Sequence, residues 1–175
     1  LHTDRAVVVG TGGGTLDTQA HTVTLAGTLS GSAALGKAGS GTLVISGAAN
    51  PFSGATQVGE GTLQLASAQA LASSAVTLAD TAGVSLQLLT DSTLASLAGT
   101  GTVNGTVALG AFTLTTGDGN DSLFAGAISG TGALVKQGSG RFTLSGSSSY
   151  SGGTVVTAGT LAEPAGMTIW PVRAW

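Results

Sequence analysis

Chemistry in a protein chain needs titratable, nucleophilic or metal-ligating side chains at workable spacings, and this chain holds few. Lys and Arg number 5, Asp and Glu 8, and His 2, with no Cys, in 175 residues. The lack of Cys removes thiol nucleophiles, disulfides and thiolate metal sites. Thr116 to Phe124 reads TGDGNDSLF, the pattern of a calcium-binding nonapeptide GGxGxDxUx with Thr at its first Gly. Asp118 and Asp121 would give carboxylate oxygens and the turn its carbonyls, the donor set of a hard cation. Such a site draws its two halves from successive copies, and the chain has one copy. Asp118 and Asp121 are therefore expected in an ordinary polar loop, and no metal or cofactor is expected.

Gly31 to Lys37 fits the phosphate-loop spacing GxxxxGK, but Ala38 stands where Ser or Thr would hold magnesium. Lys37 is better read as a repeat-position residue, as is Lys136, each with its stem along the chain and its ammonium exposed. His2 falls at a terminus expected to fray. His21 precedes a strand and has no Ser in a G-x-S-x-G setting to activate. The acidic residues Asp4, Asp17, Glu60, Asp80, Asp91, Asp118, Asp121 and Glu163 are isolated in sequence. A paired-carboxylate site could form only if the fold gathered them. No catalytic residue is assigned, and the chain is read as a non-enzyme.

Phe52 and Tyr150 could stack on a sugar, but packing over a Gly-rich corner is the simpler role. Thr22/Thr24 and Thr100/Thr102 resemble an ice-binding face without recurring at one fixed spacing. Asn104 and Asn120 head N-x-S/T sequons, to which no role is assigned.

Composition narrows the classes further. Charged residues are 7% of the chain, aromatics 4% and mean hydropathy is +0.42. Disordered chains are charge-rich and apolar-poor, so disorder is excluded. The five basic residues are scattered and the net charge is −3, so nucleic acid is not a partner. No apolar run approaches the ~20 residues of a membrane span. The chain opens at Leu1 without a charged-then-apolar leader, which reads as an excised piece or a processed product.

The elements that must position these side chains are strands. Short period-2 runs recur: Thr22–Leu25, Leu43–Ile45, Thr62–Leu65, Val76–Leu78, Val84–Leu88, Phe112–Leu114 and Phe142–Leu144. Ala66 to Ala75 has some helical character but is too short and capless to form a helix. Internal repetition is the strongest signal. Gly31 to Leu63 and Gly130 to Leu161 match at Leu35/Leu134, Lys37/Lys136, Gly39/Gly138, Gly41/Gly140, Leu43/Phe142, Ile45/Leu144, Phe52/Tyr150 and Thr56/Thr154. One residue is lost between Gly146 and Tyr150, in a Ser-rich stretch suited to a loop. Strands this short bury little surface alone, but stacked on their neighbours they bury a continuous aliphatic column. The low charge fits, because stacked coils place like residues about 4.8 Å apart. The expected architecture is an all-β parallel solenoid of about eight or nine coils at ~20 residues each. Leu25, Leu43, Ile45, Leu63, Leu65, Leu86, Leu114, Leu134, Phe142 and Leu144 should point inward.

These motifs resemble the passenger-associated strand repeat of bacterial autotransporters. GTGALVKQGSG at Gly130–Gly140, FTLSG at Phe142–Gly146, YSGGTVV at Tyr150–Val156 and GTL at Gly159–Leu161 carry the resemblance, and Gly31 to Leu63 is similar. The linking segments Gly12–Thr18, Val23–Gly27 and Leu97–Val103 resemble the same family, so the likeness runs from about residue 8 to 163. It implies a single right-handed parallel β-helix, secreted and displayed on the outer surface of a bacterium. Such passengers are carried out by an outer-membrane β-barrel translocator, and the repeat serves secretion and folding rather than catalysis. The function implied is a structural or adhesive stalk, with a host surface or self-association through the coil ends as possible contacts. A self-associating fibre module and a β-helical polysaccharide-acting enzyme are the alternatives.

The repeat breaks at its end. Glu163 takes the place of Leu65, Pro164 follows, and the remainder matches nothing upstream. A carboxylate aimed into an aliphatic column costs several kcal/mol, and Pro removes a ladder donor. Residues 1–163 are thus expected to form the β-helix. Residues 164–175 are expected to be a non-repeat tail outside the ladder, from truncation of the reading frame or from appended sequence.

Overall fold

The computed structural model describes residues 2–101, 105–163 and 172–174. Alternating apolar residues, broken every few positions by Gly or a polar pair, give short strands, and every pairing between them is parallel. Thr22 pairs with Thr42, Thr42 with Thr62, Thr62 with Ser85 and Ser85 with Thr106. Each partner lies one turn further along the chain, so the strands stack as coils. The result is a parallel β-helix of about eight turns with no helical segment among the described residues. A right-handed path is the sense that strand twist favours for parallel crossovers.

The first stack holds seven strands: His2–Thr3, Thr22–Leu25, Thr42–Ile45, Thr62–Leu65, Ser85–Leu88, Thr106–Ala108 and Ile128–Ser129. A nine-stranded sheet runs from Gly14–Asp17 through Leu35–Ala38 and Thr56–Val58 to the long strands Leu71–Leu78 and Ser92–Ala98. It continues through Leu114–Thr116, Leu134–Lys136 and Thr154–Val156 to Val172–Ala174. Ser122–Phe124, Arg141–Leu144 and Thr160–Ala162 form a third stack, and Val7–Val8 with Leu29–Ser30 a fourth.

The ten residues expected to point inward are all buried, from Leu25 at 3% exposure to Leu144 at 0%. They join Leu29, Leu71, Val76, Leu94, Val107, Phe124 and Ile128 in one column of apolar side chains. Full burial of each such side chain contributes about 1.5–3 kcal/mol.

One expectation about local structure holds and another changes. The alanine-rich 66–75 stretch runs into the eight-residue strand Leu71–Leu78, because Leu71, Val76 and Leu78 face the core and propensity yields to packing. The expectation that nothing after Glu163 rejoins the ladder is corrected at one place. Val172–Ala174 pairs parallel with Thr154–Val156, which offers it an open strand edge. The rest of the proposed tail, residues 164–171 and 175, lies outside the described residues. Thr160–Ala162 does end before Glu163, whose Oε1 is buried without a hydrogen-bond partner.

Candidate functional site: the lysine corners and the aspartate turn

The most polar places in this apolar rod are the corners after Lys37 and Lys136. Each lysine sits in a strand at an inward position, between Leu16 and Val58 for Lys37 and between Thr116 and Val156 for Lys136. Both side chains are 1% exposed, which corrects the expectation of exposed ammonium groups. The stem packs in the column and the head reaches the corner, where three backbone or hydroxyl oxygens take its protons. Lys37 Nζ donates to Gly39 O at 2.7 Å, Thr18 Oγ1 at 2.9 Å and Ala38 O at 3.1 Å. Lys136 Nζ donates to Gln137 O, to Gly138 O at 2.8 Å and to Ala158 O at 3.2 Å. Gly39 and Gly138 make the corner possible: with φ of 76° and 70° they turn their carbonyls inward in a conformation that suits Gly. Burial pushes the pKa of Lys37 down against the pull of Asp17 and Glu60, and that of Lys136 down against Asp118. With all three protons donated, neither ammonium has one left for a phosphate. The GxxxxGK segment is a strand and a corner with no helix after it.

The aspartates of the nonapeptide-like segment are engaged in holding turns. Asp118 accepts from the Asn120 backbone N–H at 2.7 Å, and Asp121 Oδ1 from the Arg141 N–H at 2.8 Å, one coil further on. Asp17 makes the same turn with Gln19 N–H at 2.7 Å. Among the described residues no group of three or more His, Cys, Asp or Glu could hold a metal ion. A shallow hollow beside Ser40, Gly61 and Thr81 has Glu60 as the one titratable group in its lining.

Comparison with known proteins decides the family. A passenger-associated-transport-repeat model matches residues 35–65 and 134–162, the two stretches that carry the lysine corners. The chain is also 40% identical, over 92% of its length, to the adhesin BmaC autotransporter of Brucella suis biovar 1 (strain 1330). The chain is autotransporter passenger sequence. It spans 5% of that adhesin's length. No solved structure matches it.

Within the passenger, the remaining candidates find structural places. Phe52 is fully buried and Tyr150 is 6% exposed, so neither offers a face to a sugar. Tyr150 Oη shares a hydrogen with Thr154 Oγ1 at 2.5 Å, and burial pushes its phenol pKa up. His21 is exposed, with its N–H donated to Thr18 O. His2 lies in a strand, His2–Thr3, that pairs with Thr24–Leu25. Thr22, Thr42 and Thr62 do stack rung on rung, continued by Ser85, so the first hydroxyl of the Thr22/Thr24 pair has its ladder. The second does not, because Val44 and Gln64 follow Thr24. Thr102 and Asn104 lie outside the described residues, and Asn120 is exposed at a corner.

One buried polar residue of the passenger carried no sequence signal of its own. Asn50 accepts from Leu29 N–H at 2.6 Å and donates to Gly47 O at 2.9 Å, closing a corner between coils. In the second copy Ser148 Oγ takes the equivalent bond from Ile128 N–H at 3.2 Å. A shorter side chain closes the corner where the chain is one residue shorter. The Asn-to-Ser exchange beside the deletion was the available clue.

Proposed function

We propose that this stretch is a structural segment of the stalk of a surface adhesin and performs no catalysis. The observation that carries the reading is the identity to an adhesin autotransporter along nearly the whole chain, in a rod whose buried Lys37, Lys136 and Asn50 close corners. A passenger of this kind leaves the cell through an outer-membrane β-barrel and works on the outer surface. The segment then sets how far the adhesive parts of the protein stand from the cell, and its own outer faces are open to a host surface.

Excision of residues 42–61 tests it, because Thr62 can then take the place of Thr42 above Thr22. In the full-length parent on whole cells, export and surface display should persist with one coil fewer. Loss of display, or turnover of pectin or alginate by the intact chain, would overturn the proposal.

A further inference from the structure

The two repeat copies match in sequence but do not stack in line. Leu43 lies in a ladder that climbs through Leu63, Leu86 and Val107 to Ile128. Its counterpart Phe142 is absent from that ladder and pairs with Ser122. The stack of Ser122 and Phe142 descends through the Phe124–Gly99 bridge to Ala98, then to Thr77 and Gln57. That is the column of the first copy's Thr56–Val58 strand, not of its Thr42–Ile45 strand.

The order in which each coil visits the columns gives the same result. Early coils pass from Thr22–Leu25 to Leu29–Ser30 and then to Leu35–Ala38, so the Lys37 strand is the third stop. A later coil passes from Ile128–Ser129 to Leu134–Lys136 and then to Arg141–Leu144, so the Lys136 strand is the second. The shift arises where two strands run straight across a corner. Leu71–Leu78 and Ser92–Ala98 are the longest among the described residues, eight and seven residues. The register between them slips between Leu71/Leu94 and Ala75/Ser96. The sheet enters this pair through Val76, above Thr56, and leaves through Ser92 to Leu94, below Leu114 to Thr116.

We infer that residues 71–98 are a phase element that turns the second repeat one face around the rod relative to the first. Matching outer residues of the two copies, Val44 and Thr143, thereby face different sides. A flat partner laid along one side meets this position in one copy only, whereas a partner that wraps the rod meets both. Repeats that match in sequence thus become two differently directed surfaces.

Disulfide pairing tests the phase in a chain without native Cys. Ala98→Cys with Leu123→Cys joins residues the inferred phase makes neighbours. Ala108→Cys with Leu123→Cys joins residues that would be neighbours if the copies stacked in line. Ala108→Cys with Ser129→Cys, adjacent in the first ladder, is the control. Under mild oxidation of the folded protein, the first pair and the control should close in most molecules and the second in few. Closure of the second pair in place of the first overturns the inference. So does failure of the first pair while the control closes.

Discussion

The Lys37 ammonium donates to the Thr18 hydroxyl across 2.9 Å, one coil back along the chain. Lys136 makes no such bond, and Thr116, paired with it from the coil below, keeps its Oγ1 buried without a hydrogen-bond partner. There the third proton goes forward to Ala158 O in the next coil. The same lysine in two copies stitches its coil to different neighbours, backward in one and forward in the other.

Lys37→Met keeps most of the stem's volume and removes the head. Ala38 O and Gly39 O then lose a shared charged donor, though Ala38 O keeps the Thr18 N–H, and the loss of the charge-assisted bonds should cost about 1.5–3 kcal/mol. Urea unfolding of the chain should show the midpoint falling with an unchanged slope. A midpoint equal to or above the parent's would mean that the ammonium contributes nothing there.

Alkaline titration separates two groups. Both lysine pKa values lie below the ordinary 10.5 because burial disfavours the charged head. Between the lowered values and 10.5 the unfolded chain binds more protons than the folded one, so stability rises with pH across that interval. Tyr150 acts oppositely: burial raises its pKa above the ordinary 10.0, and its contribution is lost as pH climbs past that point. The double variant Lys37→Met, Lys136→Met should flatten the rise, and Tyr150→Phe should weaken the later fall. An unchanged profile in either variant refutes the assignment to that group.

Calcium should leave the melting temperature of this chain where it is in EDTA. Asp118 and Asp121 already accept from Asn120 N–H and Arg141 N–H. Asp121→Ala should still cost about 1 kcal/mol, through loss of that bond rather than of an ion. A calcium-dependent rise that Asp121→Ala abolishes would instead establish a metal site.

Gly132 and Gly12 make a contrasting pair. A Cβ on Gly132 would stand 1.9 Å from Phe112 O in the coil below, whereas one on Gly12 meets nothing within 4 Å. Gly132→Ala should therefore cost several kcal/mol, because backbone must move. Gly12→Ala should be neutral or slightly stabilising, since it restricts the unfolded chain. Thermal melts of the two variants check both.

Much of this was legible because a solenoid is a local code repeated. Alternation at Leu43–Ile45 or Phe142–Leu144 fixes which side chains face in, and the matched glycines mark the corners. The lysine heads were misread because a lone Lys in a strand favours the surface unless carbonyls wait for it. Those carbonyls belong to a corner whose inward turn depends on the φ of Gly39 and Gly138. The phase between the copies was hidden for another reason. Copies 99 residues apart, Leu35 to Leu134, look like five coils of even length, and only the pairing across Leu71–Leu78 and Ser92–Ala98 reveals otherwise.

The ladder bonds of this rod run from coil to coil, along its length. A pull on its ends therefore strains them in opening, a rung at a time, and not in shear across many strands at once. Each coil that peels away exchanges about 4.8 Å of rod for roughly 65–70 Å of extended chain. With no disulfide to hold a coil shut, the segment would yield under tension in small steps of one coil each. Single-molecule extension should show those steps, and one abrupt rupture of the whole rod would rule this behaviour out.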